Sequence, residues 1–162
     1  MLPFNEPRRN EPVATDFVKA SVPAVNNGAM GAQIFVGRNS LYTHCYGCKT
    51  DGEFVNTLED NIRKRGTMSK LISDRALSEV SKRVLDLLRA YCIDDWQSEP
   101  HHQHQNFAER RYQTIKKYVE RTLDRVGAPP ELWLLCMEYV CYLLNRLAAA
   151  TLGDKTPFEA LN

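Results

Sequence analysis

Two acids and a cluster of histidines stand out as residues able to do chemistry. Asp74 follows the apolar run "KLIS", and Glu109 opens the basic stretch "AERRYQTIKK". Their separation, 109 − 74 = 35 positions, leaves room for one helix, one strand and one loop, which would return the chain to the same edge of a sheet. Carboxylates that converge in this way hold Mg²⁺, whose oxygen preference and retained waters suit it to phosphoryl oxygens. Ligands of open α/β sheets lie beyond the carboxyl ends of the strands, which is where Asp74 is expected. Taken singly, an aspartate after a strand is usually a turn residue, and a glutamate in a first helical turn serves the helix dipole.

The histidines and cysteines offer a different chemistry. His44, Cys45 and Cys48 lie close together in "THCYGC", and His101, His102 and His104 in "HHQH" complete a nominal Cys2His2 set. Zinc modules use compact paired spacings, which this chain lacks. Cys45 and Cys48 differ by an odd number on an expected strand and so face opposite sides. No structural zinc is expected. The histidines read as a polar loop beside Glu109, with His104 placed to touch phosphate, and Cys92, Cys136 and Cys141 as core or near-core thiols.

The elements that must position these groups follow from periodicity. Residues 1–14 hold Pro3, Pro7 and Pro12 with little apolar alternation, and are expected to be a flexible leader ahead of a domain over 15–162. Short strand-like runs follow at 16–25, 32–38 and 40–47, the first two separated by the turn signal "NNG", and they predict an antiparallel meander. The period then changes. A helix is expected over 51–66, with Asp51 at its start and Gly66 at its end, then a strand over 69–76, a helix over 78–92 and a strand in "IDDWQSE". A helix from Asn106 to Val126 carries Ile115, Val119, Leu123 and Val126 as its stripe. The last helix, 131–150, is apolar nearly all round and is expected to be buried. The order β-β-β-α-β-α-β-α-α predicts an α/β fold, a mixed sheet with helices on both faces.

Composition narrows the classes. A chain of 162 residues that is 43% apolar can bury one core. No run approaches the ~18 apolar residues of a membrane span, and no secretory signal opens the chain, so an intracellular protein without a membrane partner is expected. Five irregularly spaced cysteines fit reduced thiols. Net charge is only +1, so nucleic-acid binding must rest on where charges sit. The 105–126 segment places Arg110, Arg111, Lys116, Lys117, Arg121 and Arg125 against Glu109, Glu120 and Asp124, a local basic excess that would suit phosphates. An ordinary solvated helix face is the plainer reading, as it is for "NIRKRG" at 61–66.

The sequence "KLISDRA", then a helix, then "WQSEPHHQHQNFAERRYQTIK" and finally "WLLCMEYVCYLLNR…TPFEAL" resembles the catalytic core of retroviral and retrotransposon integrases, those of copia-like elements especially. The likeness spans roughly residues 15–162 and is most specific in "QNFAERR" and "TPFEAL". It implies a ribonuclease-H-like fold, a three-strand antiparallel meander plus two parallel strands. It also implies two aspartates and a glutamate holding Mg²⁺ or Mn²⁺ for DNA end processing and strand transfer, with Asp74 as second acid and Glu109 as third. DNA partnership, self-association, origin in a longer Pol polyprotein and a nuclear location within an active element come with the resemblance. So do a His-His-Cys-Cys zinc region and a DNA-binding tail that this chain does not contain.

The first acid departs from the pattern. Such cores place it midway along the first strand, and counting back from "NNG" assigns the position to Ser21, a neutral and poor ligand. Asp16 lies five residues upstream, about 16 Å away at roughly 3.3 Å per residue, and an odd offset turns it to the other face. An impaired integrase core is therefore expected. A catalytically silent integrase-derived domain that binds nucleic acid or itself, and a ribonuclease-H-like nuclease, remain as alternatives.

Overall fold

The computed structural model describes residues 7–73, 81–97 and 107–162. Its sheet has five strands: β1 (Arg8–Lys19), β2 (Gly31–Gly37), β3 (Thr43–Cys48), β4 (Thr67–Ser73) and β5 (Asp94–Gln97). Their order across the sheet is β3-β2-β1-β4-β5. The first three pair antiparallel, and β4 and β5 run parallel to β1. The helices are α1 (Phe54–Arg65), α2 (Lys82–Ala90), α3 (Phe107–Val126), α4 (Trp133–Leu144) and the short α5 (Pro157–Leu161). This is the mixed sheet the sequence predicts.

Alternation along the strands builds two cores. Val13, Phe35, Met68 and Leu71 point to α1 and α2, where Phe54, Leu58, Ile62, Val84 and Leu88 pack. Ala14, Ile34, Val36, Cys45 and Ile72 point the other way, onto Ala108 and Ile115 of α3 and Leu134, Met137 and Val140 of α4. Both faces of β2 are covered, so all seven of its residues are buried.

The first strand is where the structure corrects the expectation. β1 begins at Arg8, not at residue 16, and ends at Lys19. Of the segment expected as a leader, residues 1–6 lie outside the described residues, and from Arg8 onward the chain is sheet. The cause is a buried ion pair. Arg9 and Glu11, 8% and 5% exposed, turn their charged side chains inward, so "RRNEP" reads as a polar tail while it folds as a strand. Glu11 accepts from Arg9, from the Ser40 hydroxyl and from the backbone N–H groups of Asn39 and Ser40, which ties β1 to the β2–β3 turn. Pro12, unexpected in a central strand, sits where the β1–β4 register shifts between Arg9 and Pro12. Ser21 lies beyond β1, exposed in the connection to β2.

Helix ends differ in smaller ways. Asp51 belongs to a 3-10 turn, Asp51–Glu53, that precedes α1. Gly66 closes α1 at φ 94°, a backbone open to glycine and strained for other residues. The last long helix ends at Leu144 and is not buried all round: Leu134, Met137, Val140 and Cys141 face the sheet, whereas Leu135, Tyr139, Tyr142 and Leu143 are exposed. A single helix laid on a sheet buries one stripe only. Likewise Val126, the last residue of α3, is 69% exposed and not part of a buried stripe.

Candidate functional site

Asp16 sits well inside β1, opposite Ile34 of β2, and shares the side of Ala14 and Val18 that packs against α3. Its carboxylate is half-buried. It reaches α3 electrostatically: burial first, and then the Asp16 charge, raise the phenol pKa of Tyr112. Glu109 stands three residues before Tyr112 in the first turn of α3, also half-buried. One helical turn thus separates Glu109 from the residue that Asp16 approaches. Ala108, between Phe107 and Glu109, is fully buried in the same core as Ala14 and Ile72, and it anchors this end of α3 on the sheet.

The parallel pairing of β1 with β4 sets the other side of the site. Val13 stands opposite Leu71 and Ala14 opposite Ile72. Asp16 is two residues past Ala14, and in the sequence Asp74 is two residues past Ile72. Asp74 itself lies outside the described residues, as do His101, His102 and His104. Among the described residues no group of three or more His, Cys, Asp or Glu side chains could hold a metal ion. The two described carboxylates, oxygen donors on adjoining elements, nevertheless suit a hard dication more than a soft one.

Groups expected elsewhere separate. His44 and Tyr46 alternate with Cys45 on β3, stacked on one another at a ring distance of 4.4 Å, while Cys45 points to α4. Burial, then the charges of Arg65 and Lys64, push the His44 pKa down to about 4, so the ring is neutral near pH 7. Of the basic residues, Arg111 is turned inward: its Nε donates to Thr43 Oγ1 at 3.1 Å, locking α3 to β3, and burial lowers its pKa. Arg110, Lys116 and Lys117 are exposed, and Lys116 approaches Glu120 at 3.9 Å. Arg110 lines a cavity of about 480 Å³ with Arg38 and Lys70. In "NIRKRG", Lys64 and Arg65 lie over the rings of Tyr46 and Tyr42.

A second cavity, about 260 Å³, follows β1 past Asp16, between Val18–Val22 and the α3 residues Tyr112, Ile115 and Lys116. Its wall is fixed by Trp133, whose indole N–H donates to the Val22 carbonyl at 2.9 Å. Sequence reasoning missed both this wall and the register of Asp16. The available signal was the alternation "VATDFV", in which Val13, Thr15 and Phe17 take one side and Ala14, Asp16 and Val18 the other.

No family model matches the chain, and no curated protein does. Solved structures do. The chain is similar to the HTLV-2 integrase catalytic core domain in complex with magnesium in its trimeric form, with TM-score 0.72 and 15% identity, covering 96% of this chain and 98% of that one. The dimeric form of the same domain gives TM-score 0.71 at 15% identity, over 98% and 99% of the two chains. A simian T-cell lymphotropic virus intasome in complex with PP2A regulatory subunit B56 gamma gives TM-score 0.74 at 16% identity, over 98% of this chain and 59% of that one. The fold is therefore that of retroviral integrase catalytic cores.

Proposed function

We propose that this chain is an integrase-type core for divalent-metal-dependent DNA end processing and strand transfer, with Asp16, Asp74 and Glu109 as its acids. The observation that carries the reading is the placement of Asp16: on the central strand, half-buried, on the side of the sheet that α3 covers, with its charge felt by Tyr112, one helical turn along α3 from Glu109. The impairment expected from Ser21 loses its basis, because Ser21 is not on β1.

Mg²⁺ or Mn²⁺ held by these carboxylates would supply Lewis-acid activation of water or of a DNA 3′-hydroxyl, and charge neutralisation at the phosphodiester. The protein's own contribution is positioning. β1 holds Asp16 in its ladder with β2, opposite Ile34, and Ala108 anchors the turn that bears Glu109 on the sheet. Arg110 and Lys117, seven residues apart on one face of α3, are placed to take DNA phosphates. The copia-like affinity rests on "QNFAERR" and "TPFEAL", and self-association belongs to the same proposal, checked by sedimentation at several concentrations.

The test is a Mg²⁺- or Mn²⁺-dependent assay of end processing and strand transfer. Activity lost in Asp16→Asn and in Glu109→Gln, and unchanged in Ser21→Asp, supports the reading. A folded, DNA-binding chain without activity under either ion would favour the silent integrase-derived domain. Cleavage of RNA–DNA hybrids without strand transfer would favour a nuclease.

A further inference from the structure

We propose that Cys45 and Cys141 are a redox-closable pair, whose disulfide would staple the edge strand β3 to α4. The two thiols come from distant parts of the chain, yet both are buried, 5% and 4% exposed, in one core, and both line a single cavity of about 270 Å³. Their juxtaposition is set by a neighbouring clamp. Asn145 Oδ1 accepts from the Thr43 N–H at 2.9 Å, and Asn145 Nδ2 donates to the Thr43 carbonyl at 2.7 Å. Thr43 and Cys45 are two residues apart on a strand, hence on one face, and Cys141 and Asn145 are one helical turn apart on the same side of α4. Cys45 and Cys141 therefore form the next rung of the same contact.

The other cysteines are occupied differently. The Cys48 thiol lies 3.6 Å from the Tyr46 carbonyl and the Cys136 thiol 3.9 Å from the Val119 carbonyl, while Cys92 is exposed. The neighbouring Cys141 thiol, together with burial, holds the Cys45 thiol protonated well above the ordinary range. Closure is consequently slow at neutral pH and selective for a small oxidant that enters the cavity.

With hydrogen peroxide the step balances. A thiolate sulfur attacks one peroxide oxygen, giving a sulfenic acid and releasing hydroxide, which takes up the proton that the thiol lost and leaves as water. The second thiol's sulfur then displaces the sulfenic hydroxyl, which leaves as a second water. Two thiols are oxidised to one disulfide and one peroxide is reduced to two waters. The S–S bond is about 2.05 Å long, so closure draws α4 toward the edge strand.

The experiment treats the reduced, folded chain with hydrogen peroxide, alkylates the remaining thiols in denaturant, and maps linkages by mass spectrometry. Thiols should fall from five to three per chain, with one new linkage joining Cys45 to Cys141. The denaturant midpoint should rise, and dithiothreitol should reverse it. Cys92→Ser should leave this unchanged, and Cys141→Ala should abolish both linkage and midpoint shift. Five persisting thiols, a linkage between other cysteines, or oxidation of Cys45 or Cys141 without cross-linking would overturn the proposal. The map of the unsubstituted chain decides it even if Cys141→Ala does not fold.

Discussion

Asp16 of β1 and Tyr112 of α3 are coupled electrostatically across the layer between sheet and helix: burial first, and then the Asp16 charge, raise the Tyr112 pKa. Asp16→Asn should therefore lower the pH at which the Tyr112 phenol ionises, read by its ultraviolet titration against Tyr112→Phe. If activity is present, the same change should reduce strand transfer by about 10²–10³, the usual cost of one well-placed electrostatic element. An unmoved Tyr112 titration would show that Asp16 does not face α3 in solution.

The Arg9–Glu11 pair should dominate the response to acid. Burial alone would raise the Glu11 pKa, but hydrogen bonds from Arg9 and Ser40 outweigh it, and the net shift is downward. A carboxyl with a lowered folded pKa contributes stability above its unfolded value, near 4.3, and loses it as pH falls through the folded pKa. Glu11→Gln should flatten the acid limb of stability. It should also cost about 3–5 kcal/mol near pH 7, because Arg9 is left buried without its partner. Denaturant midpoints measured from pH 3 to 7 check both statements.

Asn145 should prove a structural residue rather than a ligand. It is 3% exposed and satisfies both backbone groups of Thr43 on the unpaired side of an edge strand. Asn145→Ala strands a buried N–H and a buried carbonyl, at about 1–3 kcal/mol each. Equilibrium unfolding should show that loss, with binding of DNA by the folded fraction unchanged.

The succession of strands and helices was legible because apolar residues recur at strand or helix period, as Val84 and Leu88 do on α2. The start of β1 was not, because a strand whose inward residues are Arg9 and Glu11 carries no apolar alternation, and Pro12 adds a false break. With its start hidden, the strand was placed at 16–25 and not at Arg8–Lys19, and its middle fell on Ser21. The exposed stripe of α4 was hidden for the opposite reason. A helix apolar on all sides gives no sign of which side the sheet will take.

Lys116 and Lys117 should separate from Arg111 in DNA binding. Both lysines are exposed, whereas Arg111 donates inward to Thr43. If α3 tracks phosphates, Lys116→Ala with Lys117→Ala should weaken binding about equally for all DNA sequences. Each lost phosphate contact should flatten the logarithmic salt slope by roughly 0.9. Arg111→Ala should instead lower stability, through the lost bond to β3, and leave the salt slope as it was. Binding isotherms at several salt concentrations, set beside unfolding curves for the same variants, distinguish the two. A slope that stays constant without the lysines would make this face an ordinary solvated helix surface, with Lys116 beside Glu120 at 3.9 Å.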